Sequence, residues 1–216
     1  MQKCSQTCDA TRNFLLCALP LVERERLFPY LQAVTFSLGQ CICEPGERIK
    51  CCYFPTSAII SLLYTMQDGS TAEIGLVGKE GVLGTAVFLG GESTSSRAIV
   101  AVAGDALMLP GRLLQEEFAR SGPLQHLLLR YTQAFITQIS QTAVCNRLHS
   151  MEQRLCRWLL LCQDRKNCPD LLMTQELLAH MLGGRRESVT VAAGHQYRTT
   201  AAPSCSSALL FQPFCP

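Results

Sequence analysis

Residues 173–194 have the sequence MTQELLAHMLGGRRESVTVAAG, a pattern typical of two short helices joined by a tight turn. Thr174 is a suitable N-cap, Ala179 is small where a second helix must cross closely, and Gly183 can form the turn. The face of the first helix that would pack inward is apolar: Leu177, Leu178 and Leu182. The spacing predicts a helix-turn-helix. An ordinary helical hairpin with a solvated, charged turn remains the alternative.

The second helix would begin with Arg185, Arg186, Glu187 and Ser188. An Arg guanidinium can bond both acceptors of a guanine edge, and a Glu carboxylate can accept from cytosine N4. Hydroxyl groups and the amides of a helix N-terminus bind phosphates. We therefore expect contacts with double-stranded DNA from the following residues: Thr174, Gln175, Arg185, Arg186, Glu187, Ser188 and Thr190.

The composition agrees with a folded protein that has locally basic character. Of 216 residues, 48% are hydrophobic and 17% are charged, which excludes a disordered or low-complexity chain. The formal net charge is only +2. Residues 146–200 hold eight Lys or Arg against five Asp or Glu, a local charge of +3, so the rest of the chain carries −1. The small positive surplus lies around the helix-turn-helix pattern.

Upstream, residues 35–114 consist of short apolar runs separated by turn signals every eight to twelve residues. This spacing is typical of an antiparallel sandwich or roll. Residues 58–66 and 97–103 are predicted strands, and residues 67–70 a hairpin turn in which Gly69 takes positive φ. The fold class expected is α+β, with a jelly-roll-like antiparallel β-roll as a sensor domain over residues 14–115.

A long helical pattern follows and supplies the expected dimerisation helix at residues 116–148. The sixteen residues between Arg130 and Arg147 carry no charge. Two stripes at spacings of three and four run through this region: Leu124, Leu128, Tyr131 and Phe135 on one face, and Thr132, Ile136, Ile139 and Ala143 on another. A helix that is neutral on both faces favours a second covering helix, and a copy of itself in a parallel homodimer is the simplest source. A central helix buried in a monomeric bundle is the alternative.

The order of these parts, with YFPTS at residues 53–57 and LGGRRESVT at residues 182–190, resembles the Crp/Fnr superfamily of bacterial transcription regulators. The resemblance covers about residues 15–194. It implies a cyclic-nucleotide-binding-like β-roll, a long dimer helix, a winged helix-turn-helix in residues 149–216, and RNA polymerase as a further partner. Arg186 with Glu187 falls on the superfamily's most typical base-reading pair. The expected function is an effector-modulated homodimer that binds a palindromic operator.

Two departures from the superfamily's pattern affect the candidate effector pocket, which consists of Gly84, Thr85, Ser96, Arg97 and Ala98. Cyclic nucleotide binders of this superfamily hold the ribose with a Gly-Glu pair and the phosphate with an Arg-Ser/Thr-Ala run. Here Thr85 replaces the carboxylate. Arg97 is displaced by one residue, which in a strand directs its side chain to the opposite face. We therefore expect a scaffold or another effector, and not cyclic AMP bound in the usual mode.

A third departure is that residues 195–216 lack the strand alternation of a wing. We expect this atypical tail to weaken DNA binding. The alternative function is therefore a dimeric effector-binding or redox-sensing module whose DNA binding is impaired.

The thirteen cysteines do not form a recognisable framework. Cys4, Cys8 and Cys17 are spaced more loosely than the cluster ligands of iron-sulfur regulators, so no iron-sulfur cluster is expected. Cys145 and His149 lack a second pair of matching ligands, so no metal site is expected either. Phosphate-binding, nucleophile-elbow and metalloprotease motifs are absent from the sequence, and no enzyme is predicted. With no leader pattern or apolar run of membrane-spanning length, we expect a cytoplasmic protein without a membrane partner.

Overall fold

A computed structural model describes residues 10–67, 69–166 and 175–183, except for the side chains of Lys166, Gln175, Glu176 and His180. Seven strands form two antiparallel sheets: β1 (Gln32–Phe36), β2 (Cys41–Cys43), β3 (Cys51–Pro55), β4 (Ile59–Thr65), β5 (Thr71–Val77), β6 (Arg97–Val102) and β7 (Gly104–Pro110). One sheet has the order β1-β7-β3 and the other the order β2-β6-β4-β5. The antiparallel roll predicted from the turn spacing is confirmed.

The β4–β5 hairpin closes as the sequence predicts. The Met66 amide donates to the Ser70 carbonyl, and Gly69 adopts a φ of 83°, a conformation that glycine reaches without a steric penalty. The register shifts at Leu62/Leu63, where one strand carries an irregularity of the bulge type. This hairpin places β5 at the edge of the four-stranded sheet.

The helices surround the roll. They are α1 (Phe14–Cys17), α2 (Leu21–Leu27, followed by a 3₁₀ turn at Phe28–Tyr30), α3 (Thr85–Phe88), α4 (Gly111–Phe118), α5 (Pro123–Leu148), α6 (Met151–Lys166) and α7 (Gln175–Leu182). The helical pattern that begins near Leu113 is not continuous. Ser121 has a φ of 57° and Pro123 occupies the first turn of α5, so the chain breaks between α4 and α5. Residues 116–118 therefore belong to α4, and the long helix begins at Pro123.

Three apolar clusters hold these parts together. The first joins the outer face of the three-stranded sheet to α1, α2, α4 and the first half of α5. The second lies on the outer face of the four-stranded sheet and includes residues of α6 and α7. The third lies between the two sheets. The roll is therefore packed inside and covered on both outer faces. No helix in the described part of the chain is long and apolar enough to cross a membrane.

Candidate effector pocket and DNA-binding region

The first half of the candidate effector pocket is a turn held against β3. Gly84 has a φ of 106° and precedes α3, which begins at Thr85. Leu83 and Tyr53 exchange two backbone hydrogen bonds, of 2.8 and 3.1 Å. A Cβ at Gly84 would lie 3.0 Å from the Cys52 sulfur in a left-handed conformation that other residues rarely adopt. The structure therefore requires glycine at this position, whereas Thr85 brings no charge.

The second half of the candidate pocket is the start of β6, where successive side chains take opposite faces. Ser96 is buried, and its hydroxyl lies 2.9 Å from that of Thr94. Ala98 belongs to the cluster between the sheets, and Leu83 packs against the same cluster. The structure thus directs Ala98 to the interior of the roll and brings Leu83, the neighbour of Gly84, to the same cluster.

Arg97 does not face this interior. Alternation along the strand places it on the side of Ile99, which packs against the outer cluster. Its Nη2 lies 2.6 Å from Oε1 of Glu44, and this hydrogen bond holds the pKa of Glu44 below its usual range. The Arg97 guanidinium is therefore already paired with Glu44 of its own chain. The arrangement offers neither the carboxylate nor the inward cation that the superfamily uses for a cyclic nucleotide.

The stripe of α5 that begins at Leu124 packs against the roll of its own chain. Leu124, Leu128 and Tyr131 are buried, and the Tyr131 hydroxyl donates to the Val82 carbonyl at 3.3 Å. Tyr131 stacks on Phe135 with ring centroids 5.8 Å apart. Burial raises the pKa of Tyr131 above its usual range. Leu124, Leu128 and Tyr131, predicted as part of the dimer helix, are core residues that the roll of their own chain covers, and Phe135 is partly buried beside them.

The other stripe of α5 is more open. Leu129 is 44% exposed and Ile136 is 51% exposed, although both are large apolar side chains. Exposed or half-buried residues at spacings of three and four continue this face: Leu129, Thr132, Ile136, Ile139 and Ala143. We call this set the open seam. Its spacing is that of the apolar positions of a coiled coil.

The predicted DNA-contacting residues fall almost entirely outside the described part of the chain. This applies to Thr174, Arg185, Arg186, Glu187, Ser188 and Thr190, and to the side chain of Gln175. The preceding helix is described as α7, which buries Ala179, Met181 and Leu182. Gly183 takes a φ of 60°, which confirms the predicted turn residue.

No prediction from the sequence covered the polar contacts beside this region. Glu73 is buried on β5 and bonded to Trp158 of α6, and Glu80 is paired with Arg165 of the same helix. A lone acid inside the apolar strand TAEIGLV was the available signal for Glu73. Neither residue was among the predicted site residues.

Comparison with known families agrees with this division of the chain. Residues 33–121 match the cyclic nucleotide-binding domain, and residues 153–195 match the Crp-like helix-turn-helix domain. The two matches cover the roll and the region of α6 and α7. The chain is therefore a DNA-binding transcription regulator with a cyclic-nucleotide-binding-like domain. It belongs to the Crp/Fnr superfamily, as the resemblance in the sequence indicated.

Solved structures share the fold at low sequence identity. The c-di-GMP responsive global regulator CLP of Xanthomonas campestris is 14% identical with a TM-score of 0.64, over 83% of this chain and 91% of that chain. FixK2 from Bradyrhizobium japonicum is 15% identical with a TM-score of 0.65, over 82% and 89%. TTHB099, a CRP-family transcriptional regulator from Thermus thermophilus, is 17% identical with a TM-score of 0.63, over 77% and 85%. No curated protein sequence matches the chain significantly.

Proposed function

We propose that the chain acts as a homodimer that binds a palindromic operator and that an effector modulates this binding. The observation that carries the proposal is the open seam on α5. A neighbouring stripe of the same helix, about 90° away around its axis, is buried against the roll, so a second copy is needed to cover Leu129 and Ile136. A two-fold dimer presents two copies of the helix-turn-helix, which suits two half-sites related by the same symmetry. RNA polymerase is the further partner proposed for a regulator of this type.

The dimer is tested by two matched substitutions on α5. Ala143 belongs to the open seam, whereas Ala134 lies nine residues earlier and therefore about 180° around the helix. Both alanines are exposed. Ala143→Glu would place two carboxylates in the seam and should produce monomers in sedimentation velocity, whereas Ala134→Glu should leave the dimer intact. Equal behaviour of the two variants would contradict the proposed interface.

The predicted DNA-contacting residues are tested with a DNA duplex that the wild-type chain selects from a random-sequence pool. Arg186→Ala should lower the affinity for this duplex about 10- to 100-fold, because one base contact of two hydrogen bonds contributes about 1–3 kcal/mol of discrimination. Arg112→Ala is the control, since Arg112 lies exposed on α4 and pairs with Glu116 one turn away. Loss of binding in both variants, or in neither, would contradict the assignment of these residues.

The effector is proposed to differ from cyclic AMP bound in the usual mode. This rests on Thr85 in place of a carboxylate and on Arg97 being paired with Glu44. Calorimetric titration with cyclic AMP should give no heat of binding at millimolar nucleotide. Tight binding of cyclic AMP would contradict this part of the proposal.

A further inference from the structure

A small cavity lies where α5, α6 and α7 meet β5. Its volume is about 20 Å³, which is room for one guest of the size of a water molecule or a monatomic ion. A nucleotide is far too large for it. The wall includes residues from all four elements: Glu73 of β5, Asn146 of α5, Arg154, Arg157 and Trp158 of α6, and Met181 of α7.

Arg154 brings an unsatisfied donor to this cavity. Its Nη2 donates to the Leu182 carbonyl at the end of α7, whereas its Nε is buried and has no hydrogen-bond partner in the described part of the chain. Burial lowers the pKa of Arg154, but a guanidinium in a protein keeps its proton. A buried donor on a charged group normally bonds to a protein acceptor, a water or an ion. The Arg154 Nε–H is therefore suited to hold a guest in the cavity.

The charges of the wall favour an anion over a cation. Two guanidiniums, those of Arg154 and Arg157, line the cavity together with one carboxyl, that of Glu73. Arg157 is bonded only weakly to its neighbour, since its Nη1 lies 3.4 Å from the Thr142 hydroxyl oxygen, at the long end of the hydrogen-bond range. A guest therefore meets a wall with a positive charge in excess.

Glu73 becomes a further donor when it is protonated. Its Oε2 accepts from the Ser61 hydroxyl at 2.6 Å and from the Trp158 indole N–H at 2.9 Å. Because both lone pairs of Oε2 are used, the proton of the neutral acid belongs on Oε1. Burial raises the pKa of Glu73 to about 7, while the bonds from Ser61 and Trp158 and the charges of Arg157 and Arg165 act in the opposite direction.

We propose that this cavity binds one halide ion, chloride at physiological salt, together with one proton on Glu73. The Arg154 Nε–H bonds to the ion, Arg157 supplies a second positive charge, and the neutral Glu73 carboxyl brings no repulsion. The bound ion connects β5 to the three helices around it. The site goes beyond the proposed function, since it requires neither DNA nor a second copy of the chain.

Uptake of a proton makes the affinity for the halide depend on pH. An ionised Glu73 repels the anion, so the affinity falls as the pH rises through about 7. The other titratable groups beside Glu73 are the thiols of Cys145 on α5 and Cys162 on α6, and burial raises the pKa of Cys162 above its usual range. Glu176 and His180 of α7 have side chains outside the described set.

The single tryptophan of the chain is a direct probe, since Trp158 lines the cavity and is 2% exposed. A bromide ion beside the indole quenches its fluorescence through the heavy-atom effect. At pH 6 and constant ionic strength, quenching by bromide should saturate and chloride should reverse it, whereas the larger sulfate ion should do neither. Weak quenching that rises linearly with bromide and ignores chloride would show that the cavity takes water only, and would overturn the proposal.

A matched pair of arginine variants tests the donor. Arg154→Gln should lower the affinity for bromide about tenfold or more, because a hydrogen bond to a charged group contributes at least that factor. Arg147→Gln removes the same charge at an exposed position near the end of α5 and should bind as the wild type does. Acrylamide, a neutral quencher, checks that Trp158 stays buried in both variants. Equal bromide affinities of the two variants would overturn the assignment of the ion to Arg154.

The proton is tested by a comparison that does not depend on the folding of Arg154→Gln. The affinity of the wild type for bromide should fall at least about tenfold between pH 6 and pH 8.5, whereas Glu73→Gln cannot ionise and should bind bromide equally at both. A wild-type affinity that stays constant over this range, or an equal fall in Glu73→Gln, would overturn the joint binding of ion and proton.

Discussion

Helices α5 and α6 follow one another in the chain and both lie against the roll, but different chemistry attaches them. α5 uses apolar and neutral side chains, among them Leu128 and Tyr131. α6 combines an apolar strip around Trp158 with hydrogen bonding to a buried carboxylate and an ion pair at its end. Apolar burial depends little on pH or salt, whereas buried carboxylates and ion pairs depend on both. The comparison suggests that α5 is a fixed part of the roll and α6 a separable one.

The largest loss of stability should come from weakening the apolar packing of α5 against the roll. Leu128→Ala should lower the free energy of unfolding by about 2–5 kcal/mol, because the fully buried side chain leaves a cavity between α5 and the roll. Leu129→Ala is the matched control, and we expect a loss of less than about 1 kcal/mol at this exposed neighbour. Urea denaturation of both variants in the Ala143→Glu background excludes a contribution from dimer dissociation. Similar losses would show that α5 is not packed against the roll by this stripe.

The sequence could predict the packing of α5 against the roll better than the attachment of α6. The stripe from Leu124 to Phe135 is a helical periodicity, the turn at Gly69 follows from glycine's access to positive φ, and both depend on neighbours in the chain. Glu73 and Trp158 are 85 positions apart, so their hydrogen bond depends on how two domains meet. The break before Pro123 was visible in the sequence as Gly122-Pro123, but its effect on the helix start needed the structure.

In the candidate effector pocket and on α5, too, some features could be predicted from the sequence and others could not. The alternation of β6 could be predicted for Arg97, because a one-residue shift along a strand always reverses the face. Its partner Glu44 lies 53 positions away, and no local pattern indicated that pair. Which stripe of α5 stays open could not be predicted either, since both are neutral and only the position of the roll distinguishes them.

The second largest effect should be the pH dependence of the α6 attachment. The folded pKa of Glu73, about 7, lies above the value of 4.5 for a free carboxyl, so the folded state binds the proton more tightly. The stability that this group contributes is fully present below about pH 4.5 and is lost as the pH rises through about 7. The difference in unfolding free energy between the wild type and Glu73→Gln should therefore fall by about 3 kcal/mol between pH 5 and pH 8.

Chemical denaturation at a series of pH values measures this difference directly. Other groups titrate in both proteins, and their contributions cancel in the comparison with Glu73→Gln. A difference that stays flat over this range would mean that Glu73 ionises as an exposed carboxyl does. α6 would then be attached as independently of pH as α5.

The smallest effect should come from the ion pair at the end of α6. Glu80→Gln should lower the free energy of unfolding by about 1 kcal/mol, because Arg165 is mostly buried and loses its only carboxylate partner in the described part of the chain. Glu116→Gln is the control, since the Arg112–Glu116 pair has the same Nε–Oε1 geometry but lies exposed on α4, where we expect a loss of a few tenths of a kcal/mol. Thermal unfolding at 50 mM and 500 mM salt separates the two, because screening should reduce the smaller loss further and leave most of the larger one. Equal losses in the two variants would place Arg165 in solvent and remove the ion pair from the attachment of α6.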